Sequence, residues 1–134
     1  MKFTLDWLKD HLDTPENLDI ITDTLTNIGL EIESVEDKSE IFKNFTVAKV
    51  LKAEKHPDAD KLKVCQVETI SGNYQVVCGA PNAREGMLGI FAPENSYIPG
   101  TDLHLKKTKI RGVESCGMLV SEREMGISDE HAGI

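Results

Sequence analysis

The chain lacks most of what a membrane protein, a disulfide scaffold or a nucleotide-hydrolysing enzyme requires. None of its 134 residues falls in an apolar run approaching the roughly 20 needed to span a bilayer. Met1-Lys2-Phe3-Thr4-Leu5-Asp6 is charged from its second residue and has no apolar h-region, so it does not read as a signal peptide. Cysteine is scarce and odd in number: Cys65, Cys78 and Cys116 lie too far apart for C-x-x-C chemistry, and their default reading is reduced, structural and cytoplasmic. A zinc site combining them with His56 or His104 has no close ligand pair to anchor it. No phosphate-loop pattern, G-x-x-x-x-G-K-[ST] or G-x-G-x-x-G, occurs, so no nucleotide site is visible. Aromatic residues make up 5% of the chain (Trp7, Tyr74, Tyr97 and four phenylalanines), too few to stack successive bases of a single strand.

What is present is enough for one ordinary domain with a small appendage. The 40% hydrophobic content is that of a soluble globular chain. The net charge of -8 is unevenly distributed. Residues 1–42 hold 3 Lys/Arg against 11 Asp/Glu, residues 43–111 hold 11 against 7, and residues 112–134 hold 1 against 5. A cationic middle between acidic ends argues for two units, with boundaries read at residues 1–38 and 39–134, and leaves room for a polyanion partner.

Within the first unit, Thr4 is placed to cap a short helix through Leu5, Trp7, Leu8 and Leu12. Thr14, with Pro15 at the first helical position and Glu16 beside it, predicts a second helix. Leu18, Ile21, Leu25 and Ile28 give that helix one apolar stripe, and Gly29 ends it. Leu30-Glu31-Ile32-Glu33 alternates as a strand does. Helix, helix and strand in so few residues cannot close a core, so this unit is expected to dock on other structure. After the polar stretch Glu36–Asn44 the pattern shortens. Strands are predicted near Thr46–Ala53, Leu62–Thr69, Tyr74–Cys78, Gly89–Ala92, Leu103–Ile110 and Gly117–Val120, with turns at His56-Pro57-Asp58, Ser71-Gly72-Asn73, Gly79–Asn82 and Pro99-Gly100. A helical turn is expected over Ser121–Met125. Many short strands with regular turns point to a small closed barrel.

The basic run Lys106, Lys107, Lys109, Arg111 stands out in an acidic protein. Its alternation reads as strand until Gly112, and it is open to two readings: an edge guarded by lysine against aggregation, or a face for a polyanion. In His56-Pro57-Asp58-Ala59-Asp60-Lys61-Leu62, Pro57 and the aspartates fit a turn. Asp58 and Asp60 alone are a poor metal site, and the neighbouring lysines suit contact with phosphate. Cys78-Gly79-Ala80-Pro81-Asn82 invites a nucleophile reading. Cys78 ends an apolar strand with no partnered histidine, so a buried, inert thiol is expected. Ser115-Cys116-Gly117-Met118 reads as structural, with Cys116 and Met118 as buried filler.

Taken in order, the His56–Leu62, Cys78–Asn82 and Lys109–Met118 motifs resemble the tRNA-binding OB domain found in several translation proteins. Met1-Lys2-Phe3, Trp7-Leu8 and Gly29–Val35, together with Ser121-Glu122, Met125-Gly126-Ile127 and His131–Ile134, are similar to the start of bacterial phenylalanyl-tRNA synthetase β subunits. The resemblance covers essentially the whole chain and implies a mainly β fold: an OB barrel preceded by helix, helix and strand, the first half of a split α+β domain. It implies an N-terminal piece of a cytoplasmic α2β2 enzyme that uses ATP and Mg²⁺ to join phenylalanine to its tRNA. The active site would lie in the α subunit, so no catalytic residue, metal or cofactor is expected in these residues. The implied partners are the tRNA, the α subunit and the rest of the β subunit, with neither DNA nor membrane. The expected tRNA contacts are Lys106, Lys107, Lys109 and Arg111, helped by Lys52, Lys55, Lys61, Lys63, Asn82 and Arg84. Two other readings stay open: an assembly module within the β subunit, or a stand-alone tRNA-binding protein.

Overall fold

Thr4 opens the first helix as its place ahead of Leu5 predicts. In the computed structural model, which describes residues 1–134, its hydroxyl oxygen accepts from the Trp7 amide at 3.2 Å. That satisfies one orphan donor of helix α1 (Leu5–Lys9). The helix stops short of Leu12 because its end tightens: the Leu8 carbonyl accepts from both the His11 and Leu12 amides.

Helix α2 (Leu18–Asn27) begins later than Thr14 and Pro15 predict. Asn17 is the cap, its Oδ1 accepting from the Ile20 amide at 3.0 Å. The Thr14 hydroxyl instead accepts from Glu16 N–H in a local turn, the competing bond that keeps such residues out of helices. The C-terminus is as expected. Gly29 takes φ +96°, its amide donates to Thr26 C=O, and the Leu30 amide donates to Leu25 C=O, the paired bonds of a Schellman cap. Of the apolar stripe only Ile21 is buried, and Ile28 remains 68% exposed. The predicted strand at Leu30–Glu33 does not form. No strand lies beside it to satisfy its backbone groups.

The chain divides into two compact units, Met1–Asp37 and Lys38–Ile134. The second starts with a short helix α3 (Ser39–Phe42) and then builds the sheet. Strands β1 (Thr46–His56), β2 (Ala59–Thr69), β3 (Gly72–Cys78), β4 (Leu88–Pro93) and β9 (Gly117–Val120) form one antiparallel sheet in the order β3-β2-β1-β4-β9. Short strands β5 (Tyr97–Ile98) and β6 (Leu103–His104) pair with each other, as do β7 (Thr108–Ile110) and β8 (Val113–Ser115).

Bending the sheet requires an interruption in β1, and the register shifts between Val50 and Lys52. At that point the Val50 amide and carbonyl leave the ladder for Met87 C=O and Gly86 N–H, at 2.9 and 2.7 Å. The curl brings the β3 edge to the β8–β9 junction. Cys116 N–H donates to Gln75 C=O at 2.9 Å, and Val77 N–H donates to Ser115 Oγ at 3.1 Å. These bonds cover an otherwise open sheet edge. Inside lie Val50, Cys65, Val67, Val76, Phe91 and Leu119, with Tyr74 stacked on Phe91 at a 5.0 Å ring separation. Gly117 sits at the seam with φ +150°; a Cβ there would lie 2.5 Å from both the Ala92 carbonyl oxygen and the Phe91 ring. The mainly β, OB-type barrel expected from the sequence is therefore the fold.

Two local expectations fail here. The first is a continuous strand over Leu103–Ile110. Pairing with β5 runs out at His104, and the Leu105 amide and carbonyl bond back to Ser96 C=O and Asn95 N–H. The chain then crosses to a different ribbon at Thr108. The alternating faces predicted for Lys106–Arg111 therefore do not exist as one strand. The second is the buried filler expected of Cys116 and Met118: both side chains are half-buried, Met118 packed against the Ala92, Ile98 and Val120 cluster.

Candidate nucleic-acid interface

β7 and β8 are joined by two residues, Arg111 and Gly112, between the paired Ile110 and Val113. Both have positive φ, +48° and +85°, the conformation of the hairpin turn that matches strand twist. Gly112 takes it at little cost; Arg111 does not, and its guanidinium is held at the turn by a 3.1 Å bond to Asp58 C=O. Asp58 lies in the other tight turn at this end, Pro57-Asp58 between β1 and β2. Pro57 fixes one dihedral of that turn. His56, 2% exposed, stands between the two: its Nδ1 accepts from Asp58 N–H at 3.0 Å, and its Nε2 lies 3.0 Å from Ile110 C=O.

A groove of about 540 Å³ opens beside the β1–β2 turn. Lys55, Lys61 and Lys63 line it with Asp60, and Ala53, Leu62 and Gly79–Pro81 form its apolar part. The structure therefore gathers the lysines of the His56–Leu62 motif with the Cys78–Asn82 loop, and ties the tip of the basic hairpin to the adjoining turn.

The ten predicted contact residues are not equally available. Lys63 donates to Pro81 C=O at 3.2 Å and Ala83 C=O at 2.6 Å, so its ammonium shapes the loop. Asn82 spends its side chain on Ile134, donating to its carbonyl at 2.7 Å and accepting from its amide at 3.0 Å. Lys55 is 2.6 Å from Asp60, and Lys52 is 2.7 Å from Glu54, whose carboxylate raises the Lys52 pKa. Lys107 is 2.8 Å from Glu114; that bond lifts the Lys107 pKa and holds the Glu114 carboxyl below the usual carboxylate range. Arg84 is exposed, with one bond to Asn82 C=O at 3.3 Å. Lys61, Lys106 and Lys109 are exposed and form no ion pair. The free cations are thus Lys61 by the groove, Lys109 on the hairpin and Lys106 just before it.

Sequence reasoning overlooked the acids that answer these bases. Glu114 lies across the ribbon from Lys109 as well as against Lys107, a pairing legible only once the Arg111-Gly112 turn fixes the register. Asp60 likewise becomes a counter-ion only when the tight turn folds it back on Lys55.

The buried thiols and the one serine–histidine contact are taken up by packing and turn bonds. Burial pushes the Cys65 thiol up to about 11 and raises Cys78, whose sulfur accepts from Ala80 N–H. Ser121, Glu124 and His131 meet, but the carboxylate takes the Ser121 amide and hydroxyl at 2.7 and 3.0 Å and makes no bond to the histidine. That is a cap for the turn over Ser121–Met125, which the Met125 amide closes on Ser121 C=O. No three His, Cys, Asp or Glu side chains gather as metal ligands. No helix is long and apolar enough to cross a membrane.

Residues 45–134 match the family described as "Putative tRNA binding domain". Over its whole length the chain is 60% identical to the phenylalanine–tRNA ligase beta subunit of Mesorhizobium japonicum and 58% identical to that of Brucella abortus. In each case the match takes in 100% of this chain and 17% of the relative, so the chain spans about a sixth of the length of these curated relatives. Among solved structures, a mutant RNA ligase of Naegleria gruberi is similar with a TM-score of 0.51 at 15% identity, covering 69% of this chain and 32% of that one, a likeness of fold alone. Barrel, ordered motifs and family match coincide, and the chain belongs to the tRNA-binding domain family.

Proposed function

We propose that this chain is the N-terminal, tRNA-docking portion of a phenylalanine–tRNA ligase β subunit, working in the cytoplasm with an α subunit and the remainder of the β chain. The observation that carries the reading is similarity along all 134 residues, the first unit included, to β subunits whose length far exceeds this chain. In the complete enzyme, ATP and Mg²⁺ would serve aminoacylation at a site outside these residues. The role of the barrel is to hold the tRNA backbone through charge and shape rather than through base stacking. Lys61, Lys106, Lys109, Arg84 and Arg111 are its exposed donors, and Lys52, Lys55 and Lys107 become available when phosphate displaces Glu54, Asp60 and Glu114. Lys63 and Asn82 support the loop that carries the groove.

A second reading, an assembly module with little tRNA contact, is favoured by one observation: three of the predicted contact lysines already hold carboxylates within 2.8 Å. Band-shift titration of a phenylalanine-accepting tRNA against salt separates the two. For docking, log affinity falls linearly with log salt at about 0.9 units per phosphate contacted, and reversing charge at Lys61 and Lys109 lowers both affinity and slope. Binding that vanishes near physiological salt, or is indifferent to those reversals, supports the assembly role.

A further inference from the structure

The tip of the β7–β8 ribbon carries Lys109 and Arg111, and a ribbon of three residue pairs is marginal on its own. Its base is fastened to β3: the Cys116 amide and Gln75 side chain bridge to Gln75 C=O and Glu114 C=O, both at 2.9 Å. At the tip, two bonds cross to the β1–β2 turn. One is Arg111 to Asp58 C=O, from an exposed side chain. The other comes from His56, which is almost wholly buried and reaches a carbonyl 54 residues away in sequence.

The bonds of His56 define its proton. Asp58 N–H can only donate, so Nδ1 carries no hydrogen. The ring is then the neutral tautomer with its proton on Nε2, which donates to Ile110 C=O. One side chain thereby sets both the tight turn that brings Asp60 back on Lys55 and the position of the hairpin tip.

We propose that His56 is a positioning residue for the polyanion site: it latches the β7–β8 tip to the β1–β2 turn, so that Lys109 and Arg111 join Lys55 and Lys61 in one surface for an RNA phosphate backbone. This rests on the docking function proposed above. With the latch open, the hairpin cations move independently of the groove, and an RNA engages one set or the other rather than both.

Two substitutions separate the latch from simple core packing. In His56→Asn the amide can still answer Asp58 N–H but falls short of Ile110. In His56→Gln the longer amide can again donate to Ile110 C=O. Salt titrations of the 134-residue chain with an unmodified phenylalanine-accepting tRNA transcript should show the Asn variant losing about two units of slope, equivalent to roughly 100-fold in affinity near 0.1 M salt. The Gln variant should recover most of that loss, and Arg111→Ala should add little further loss to the Asn variant although it weakens the unaltered chain. A role in stability alone would leave the slope unchanged in both variants, and that result overturns the latch. Nitrogen NMR of the unaltered chain is a second arm that requires no variant to fold: it should find His56 protonated on Nε2 and coupled to Ile110, and the opposite tautomer overturns the inference. If the unaltered chain binds no RNA at any salt, the docking function fails and this inference with it. Normal binding by the Asn variant defeats the inference alone.

Discussion

In Met1–Asp37 a single side chain, Ile21, is buried, whereas every other buried apolar residue belongs to Lys38–Ile134. Both units contain well-formed local structure. The first has Thr4 and Asn17 as helix caps, threonine hydroxyls bonded back along α2, and the Gly29 terminus. Phe3, Trp7, Leu12, Ile20, Ile28, Leu30 and Val35 nevertheless remain exposed. Caps and backbone bonds select a conformation but contribute only about 1 kcal/mol each, too little to hold short helices in water. The barrel has weaker local signals, with strands of two and three residues, yet closes around a common interior. Stability follows what is buried together, not how well each element is capped.

Hydrogen exchange gives the largest expected contrast. Amides of Val50, Val67, Val76 and Phe91 should open only with global unfolding and exchange at least ~10⁴-fold more slowly than an unstructured peptide. Amides of α1 and α2 should exchange within a few tens-fold of the peptide rate. Barrel-like protection across residues 18–27 would show that the first unit has a source of stability other than its buried area.

Truncating one large aromatic in each unit tests the same contrast in energy. Phe91→Ala removes the ring at the centre of the barrel, stacked on Tyr74, and should cost about 3–5 kcal/mol in a urea titration. Trp7→Ala removes a side chain that is 55% exposed and touches the Phe3 and His11 rings; its cost should stay within about 0.5 kcal/mol. Equal costs would mean that the two units unfold as one.

How much could be read in advance follows the same division. The Thr4 cap, the Gly29 terminus and the turns around Pro57 and Gly72 depend on a few adjacent residues and were legible. The start of α2 was not, because Thr14 and Asn17 are both competent caps and only one wins. The strand predicted at Leu30 failed because alternation shows that a segment can pair without supplying a partner. The basic run failed for a longer-range reason: Leu105 is claimed by Asn95 and Ser96, so Lys106 and Lys107 fall in a crossing rather than in a strand. At the site, the types of residue were legible, while the pairing of Lys107 with Glu114 and Lys55 with Asp60 emerged only from two turns that fix register. His56 read as part of a turn; its bond to Ile110 had no local signal at all.

Within the barrel, thiol chemistry measures burial by a second route. Cys65 is raised from the usual 9.0 to about 11 by burial, with further upward pressure from Cys78. A thiol with a raised pKa holds less thiolate, so at pH 8 Cys65 should alkylate roughly 100-fold more slowly than an unfolded-chain cysteine on ionisation alone, and more slowly still for want of access. The linkage has one sign: the folded state keeps its proton where the unfolded state has lost it. This contribution to stability is therefore complete below pH 9 and declines as pH rises through about 11. Half-buried Cys116 should be the first of the three to react in native protein. Rapid labelling of Cys65 at neutral pH would show that the barrel opens far more often than its burial implies.

One modest effect should be a gain, and it sharpens the rule that common burial stabilises by showing where the barrel departs from it. Ser96 is 1% exposed and its Oγ has no hydrogen-bond partner, although its backbone groups bond Pro93 C=O and Leu105 N–H. A buried hydroxyl without a partner has lost its water and received nothing in return. Ser96→Ala removes only that atom, leaves both backbone bonds in place, and opens a space smaller than a methyl group. The substitution should raise stability by up to about 1 kcal/mol, read as a higher urea midpoint at unchanged slope. A loss of similar size would mean that the hydroxyl has a partner in solution, and that burial at this corner of the barrel is wetter than the packing of Ile98 and Ala92 suggests.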